Sequence, residues 1–443
     1  MQAGTNKMNV LCILALTACV APDVTRPNVL LIISDDQGWT DYGFMGHKSV
    51  KTPHLDKLAS ESRVFPRGYA TSSLCCPSLA AILTGRYPHQ TKITGNEPPS
   101  PVGIPKANRY QDAGFLAQIN RLNGFLAKQP RIPALLGSRG YRSFQAGKWW
   151  GGSFRTGGFT DGMSHGDPAR GGRHGDTGLE IGRKTLEPIT RFMDRSQADG
   201  APFFVWYAPM MPHSPHNPPE RFLAAHRATA ASIHEARYLA MCAWFDETCG
   251  QLLGHLDSKG LKENTIVVYV TDNGWIQDPK GPGYRLDSKQ SQYDGGLRTP
   301  IMVRWPSKMG ASKIQTPVST IDLAPTILKA CGVSVPEGMS GVDLLSDQAL
   351  ANHGPVMGSC YLHDSVDIDR PSASWTYRWV VDGNFKRIVS NPVTVKRENK
   401  AGRGLGPELY QLDVDAFEES NLNKSHMNVA ARLDGILDRW WKP

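Results

Sequence analysis

The chain has no Cys-x-x-Cys pair and no Cys/His spacing of the kind that holds zinc, which argues against a dithiol redox motif or a zinc module. It has no lysine–arginine run and no basic helix, although its formal net charge is +8. Positive charge so dispersed argues against a dedicated nucleic-acid binder and leaves other polyanions, such as sulfated or phosphorylated glycan, as partners. No repeat or low-complexity segment is visible, so a solenoid is not expected. Beyond the first twenty residues, no apolar run is long enough to cross a bilayer as a helix.

What is present describes a globular protein. The 443 residues, 40% apolar and 20% charged, suffice for a large core and for one big domain with a smaller companion. With 44 glycines and 32 prolines, many loops are expected. At the N-terminus, Lys7 precedes the apolar run VLCILAL (Val10–Leu16), the length of an export-signal core. LTAC (Leu16–Cys19) then resembles a bacterial lipoprotein cleavage box with Cys19 as the lipidated residue; an ordinary cleaved signal is the alternative. Residues 1–22 are therefore expected to be a signal, and the protein to be exported to the periplasm or cell surface on a lipid anchor. Of the eight cysteines, Cys12 and Cys19 fall in that segment, and Cys242 and Cys249 fall seven apart on an expected helix. Disulfides are permitted in such a protein but not demanded.

Three runs, NVLLIIS (Asn28–Ser34), PFFVWYA (Pro202–Ala208) and NTIVVYVT (Asn264–Thr271), are apolar without alternation, as strands buried on both faces are. TPIMVRW (Thr299–Trp305) is a fourth, and helices are expected at Leu179–Arg195 and from Ile233 to Leu256. The pattern is α/β: a large, mixed, mostly parallel sheet between helices. After about residue 345 the pattern changes to SWTYRWVVDG and FKRIVS, alternating strands about Asp382-Gly383, and a final helix Val429–Trp441. Two units follow, a large α/β domain at 26–345 and a smaller α+β subdomain with an antiparallel sheet at 346–443.

The buried runs end in SDDQG (34–38), PMMPHSPH (209–216) and TDNG (271–274). Ligands bind outside the carboxyl ends of strands in open α/β sheets, so these ends point to one shared site. Asp35-Asp36 and Asp272-Asn273 offer oxygens suited to a hard divalent cation, Ca²⁺ before Mg²⁺. Each pair, alone, also suits a turn or a helix cap. In CCPSLAAILTGR (75–86), Pro77 suits the first helical position, which puts Cys75 and Cys76 at a helix N-terminus. A thiol there is expected to be acidic and reactive, or else simply a small buried residue at a turn.

C-x-P-S-x-x-x-x-L-T-G, read from Cys75 to Gly85, resembles the signature of the formylglycine-dependent sulfatases of the alkaline phosphatase superfamily. The remaining motifs follow in that family's order: RPNVLLIISDDQGWTDYG, GYRSFQAGKWWGG, PHSP, VTDNG, KQSQYDGGLRTP, IDLAPTIL and ELYQLDVDAFEESNL. The resemblance implies that a maturation enzyme oxidises Cys75 to formylglycine, whose gem-diol attacks sulfur. It implies metal ligation by Asp35, Asp36, Asp272, Asn273 and position 75, with Ca²⁺ as the ion. It also implies sulfate contacts from Lys148 and Lys289, and His213 as proton donor to the leaving alcohol. Two positions depart from the family: Leu79 stands where an arginine is usual, and Trp150 where the Gly-Lys-Trp-His motif has histidine.

A sulfated polysaccharide or oligosaccharide is the expected substrate, with Trp149 and Trp150 available to stack on a sugar. The Gly-rich stretch 154–176 reads as a loop over the pocket, from which His165, Asp167, Arg170, Arg173 and His174 would reach substrate; His216 and Asn217 lie just beyond His213. A phosphodiesterase or phosphonate hydrolase on the same scaffold, or a non-catalytic sulfated-glycan binder, are the alternatives.

Overall fold

The structure is a computed structural model that describes residue 1 and residues 26–167, 170, 180–398 and 405–443. The expected lipidation site Cys19, and all but the first residue of the expected signal, lie outside the described residues, as do Arg173 and His174.

The central sheet is built on β1 (Asn28–Ser34), whose seven residues are all buried. It pairs in parallel with β5 (Phe203–Ala208) on one side and β6 (Thr265–Thr271) on the other. Alternate side chains explain the unbroken apolar runs, because both faces are covered. Val29, Leu31 and Ile33 face one core with Leu79, Ile82 and Leu83 of the helix Cys75–Thr84. Leu30 and Ile32 face the other with Met241, Phe245 and Leu252 of the helix Ile233–Ser258. That long helix starts where Ser232 Oγ accepts the Glu235 amide at 3.2 Å.

The remaining strands are β2 (Arg63–Tyr69), β3 (Arg142–Gly147), β4 (Asp161–Gly162), β7 (Arg298–Arg304), β8 (Ser312–Lys313) and β9 (Val318–Ser319). The order is β4-β3-β5-β1-β6-β7-β2-β8, with β9 also on β2. From β4 to β6 the pairs are parallel; β7 runs antiparallel to both β6 and β2. β2 escapes sequence reading because Pro66 interrupts it, and its register with β7 shifts between Phe65 and Gly68. The helix expected from Leu179 begins instead at Glu187, with Pro188 in its first turn. Proline has no N–H to donate and tolerates only the start of a helix, so 180–186 form turns.

A second sheet is antiparallel, in the order β10 (Val356–Tyr361), β11 (Trp375–Asp382), β12 (Phe385–Ser390) and β13 (Glu408–Gln411). One face carries the helix Met427–Trp440 through Ala430, Leu433 and Leu437; the other packs on Tyr69, Tyr293 and Leu297 of the first unit. Lys386 of β12 ties the two together. Its ammonium, fully buried, lies 2.8 Å from Asp294 Oδ1 and 2.8 Å from Glu418 Oε1, both carboxylates also buried. Replacing Lys386 with alanine leaves Glu418 facing Asp294 with no cation of its own, and leaves Asp294 only Arg298 at 3.7 Å. The variant is expected to lose about 3–5 kcal/mol of stability, read as a lowered urea midpoint.

Candidate active site

Four neighbouring parallel strands, β3, β5, β1 and β6, carry the site at their carboxyl ends. Beyond β1, Asp35 and Asp36 turn back over the sheet, Asp36 with φ 60°, a left-handed conformation that aspartate tolerates. Beyond β6 come Asp272 and Asn273, and beyond β3 comes Lys148. Gly147 before it has φ 94°, and a Cβ there would lie 2.1 Å from the Ala208 carbonyl, so only glycine lets β3 and β5 stay paired up to Lys148. After β5 the chain reaches His213, and a loop packed on the opposite side supplies Lys289.

Cys75 is the first residue of its helix, and Pro77 is the third, not the first as expected. Pro77 is still among the amide positions with no partner inside the helix. The Cys76 amide donates instead to Asn96 Oδ1 at 2.8 Å. The expectation of an acidic thiol is not met. Burial pushes Cys75 up to about 12, and Asp272 and Asp36 add to that against the opposing pull of Lys148 and Lys289.

One ligand atom each from Asp35, Asp36, Cys75 and Asp272 lie within 4.8 Å of one another, all buried. Lys148 Nζ is hydrogen-bonded to Asp35 Oδ1 and lies 3.4 Å from Asp272 Oδ2; Lys289 Nζ lies 2.6 Å from Asp36 Oδ2. Asp36 Oδ2 also faces His213 Nε2 at 3.4 Å, and Asp36 Oδ1 accepts Asn273 Nδ2 at 2.6 Å. Burial alone would raise Asp36, but Lys289, His213 and Lys148 outweigh it and hold this carboxyl below the usual range. Asp272, raised by burial and by Asp35, is pushed up to about 7. Burial pushes His213 down to about 4 against the pull of Asp36, and its Nδ1 is 2.6 Å from the Ser214 carbonyl.

Three carboxylates against two ammoniums leave one negative charge in excess within a buried site. Asp35 Oδ2 and Asn273 Oδ1 are buried with no hydrogen-bond partner. Unpartnered hard oxygens beside excess negative charge fit a divalent metal ion, and Asp35, Asp36, Asp272 and Asn273 are the residues that would hold it.

Of the other residues expected to meet substrate, Trp150 is half-buried with its ring 4.7 Å from Lys148 Nζ. Trp149 is buried against Phe159 and Trp206, which makes it core. Leu79 and Trp150 share a narrow cleft of about 50 Å³ with Leu83, Ile93, Leu122 and Leu126, and no charged side chain lines it. His216 packs against Tyr238 and Trp275, and burial pushes it down to about 4. Asn217 Oδ1 is taken by Arg183 at 2.5 Å. His165 Nδ1 accepts the Asp167 amide at 3.1 Å, and Arg170 is exposed. Arg183 was not foreseen, since no motif contains it. Its guanidinium also donates to the carbonyls of Met210 (2.7 Å) and His213 (3.0 Å), pinning the loop that presents the imidazole.

A mostly parallel sheet with acidic strand ends, a cysteine-led helix and two buried lysines defines a hydrolase site of the alkaline phosphatase superfamily. The sequence matches the family described as Sulfatase over residues 27–333, and the chain belongs to that family. It is 29% identical to the N-acetylgalactosamine-6-sulfatase of Canis lupus familiaris, over 77% of this chain and 69% of that protein. The N-acetylgalactosamine-6-O-sulfatase of Bacteroides thetaiotaomicron is 24% identical over 93% of both chains. Among solved structures, the crystal structure of Ps i-CgsB matches the fold with a TM-score of 0.73 at 22% identity, covering 94% of this chain and 92% of that one. The enzyme is a sulfatase.

Arg183→Ala is expected to lower kcat for sulfate release about 10–100-fold, because the imidazole loses its fixed position. Arg183→Lys is expected to restore little of it, since one ammonium cannot span three acceptors. Unchanged kcat in the alanine variant would rule the role out.

Proposed function

We propose that the chain removes sulfate from a sulfated carbohydrate, with position 75, as formylglycine, supplying the nucleophile. The observation that carries this reading is the unpartnered pair Asp35 Oδ2 and Asn273 Oδ1 in a carboxylate cluster that also contains Cys75. The carbohydrate assignment draws on the relatives, whose names specify N-acetylgalactosamine 6-sulfate esters and, for one of Formosa agariphila, ulvan. A divalent cation, Ca²⁺ before Mg²⁺, would neutralise the carboxylates and polarise the bound ester.

The protein's own side chains then divide the work. Lys148 and Lys289, each already paired to a carboxylate, hold their protons firmly and present fixed positive charge to the sulfuryl oxygens. His213 Nε2 faces the cluster, while Nδ1 points to the Ser214 carbonyl and fixes the ring plane. It is the group placed to give a proton from Nε2 to the departing alcohol once the ring carries both protons, a state that burial opposes and Asp36 favours. Trp150, against the Lys148 ammonium, keeps water from that side. The catalytic domain is 26–345 and the smaller unit is 346–443; the protein is exported, lipidated at Cys19 and matured by a formylglycine-generating enzyme.

Two outcomes test this reading. In protein from its native host, mass spectrometry of the peptide 71–86 is expected to show a loss of about 18 Da at Cys75, the thiol-to-aldehyde change. An intact thiol in active protein would sink the mechanism. Chelation is expected to abolish sulfate release and lower the melting temperature, with Ca²⁺ restoring both. A faster rate on a phosphate diester than on a sulfate ester would favour the phosphodiesterase alternative.

A further inference from the structure

A second cleft, of about 440 Å³, opens beside the site between the loops that follow β1 and β6 and the segment that follows β13. Trp275 is the wall between the two. Its ring lies 5.9 Å from Lys289 Nζ and edge-on to His216, while the same residue lines the cleft with Tyr238 and Phe417. Phe417 is 60% exposed on the rim of the cleft. It is held on the lip by Trp39, ring centroids 5.9 Å apart, and Trp39 in turn lies under the Arg298 guanidinium at 3.9 Å. A cleft with an aromatic lip, separated from the site for a sulfate ester only by Trp275, suits the flat face of a sugar ring.

The charges lining the cleft narrow the choice. Asp41 accepts from Tyr238 at 2.7 Å and from Thr40 at 2.9 Å, and Asp287 is forked by Arg285 at 3.0 and 2.7 Å. Glu235, whose carboxylate accepts the Ala231 amide, and Glu419 line the same cleft, as does His47 beside Asp41, and neither glutamate has an ion-pair partner among the described residues. An anionic sugar seated here would face two carboxylates with no cation paired to either.

The geometry points to a subsite in this cleft for the sugar next to the sulfated residue, with Phe417 as its stacking platform and with Glu235 and Glu419 selecting a neutral sugar over a uronate or a second sulfate. The inference rests on the sulfatase reading. The substrate is then an oligosaccharide in which sulfate is flanked by uncharged sugar on that side.

Binding to the Cys75→Ser protein, which cannot release sulfate through the proposed nucleophile, separates this subsite from catalysis. Three probes are compared by calorimetry: a 6-sulfated N-acetylhexosamine alone, the same sugar linked to galactose, and the same sugar linked to glucuronate. The galactose-linked disaccharide is expected to bind about tenfold more tightly than the monosaccharide, and the glucuronate-linked one no more tightly. Adding Phe417→Ala is expected to erase the gain while leaving monosaccharide affinity unchanged. Adding Glu235→Gln with Glu419→Gln is expected to bring the glucuronate-linked disaccharide to within about threefold of the galactose-linked one. Equal affinities for all three probes, binding of none, tighter binding of the glucuronate compound, or an unchanged gain without Phe417 would each overturn the subsite. Those results leave the sulfatase reading standing, because that reading depends on sulfate release by the unmutated protein.

Discussion

Buried charge of both signs at one edge of one sheet is the constraint on which the rest of this structure depends. Asp35, Asp36 and Asp272 are almost wholly removed from water, and Lys148 and Lys289 nearly so. Such groups are tolerated only when paired, and each pair here spans distant parts of the chain. Lys148 and Asp35 belong to strands separated in the sheet by β5, and Lys289 reaches Asp36 from a loop 253 residues away in sequence. The strand order that makes those meetings possible is held by apolar residues alternating between two cores. Any slip of register would turn a carboxylate into the apolar layer, so packing and electrostatics enforce the same topology.

The same constraint separates what sequence could reveal from what it could not. Unbroken apolar runs ending in Asp, Asn or His announce β1, β5 and β6, because strands covered on both faces leave that imprint. The spacing from Cys75 to Gly85 picks one cysteine of two. Arg183 leaves no imprint: its partners are mostly backbone carbonyls, which every residue has. Lys386 likewise looks like one more residue of an alternating strand until Asp294 and Glu418 are placed around it. Local rules also failed where tertiary burial overrode them. The helix N-terminus should make Cys75 acidic, yet removal from water and two nearby carboxylates win.

The two positions that the family resemblance marks as unusual, 79 and 150, lie together. Leu79 and Trp150 line one cleft whose walls carry no charge. An arginine at 79 would have to bury its guanidinium in a largely apolar cleft that offers no carboxylate. Exchanging both keeps the wall consistent, and Trp150 offers its π face to the Lys148 ammonium at 4.7 Å. In the proposed reaction the positive charge that side chains present to sulfate would come from the two lysines.

The proposed reading therefore sets opposite demands on the two sides of Trp275. On one side, the two ammoniums, together with the divalent cation that the carboxylates would hold, would favour an anion at close range. On the other, Glu235 and Glu419 disfavour one. A uniformly sulfated polymer would gain from the first and lose to the second, whereas a chain with isolated sulfates would satisfy both. The dispersed net charge of +8 draws polyanions toward the surface at long range. Within a few ångströms that attraction no longer discriminates, and the acidic cleft decides which sugars can follow the sulfate in.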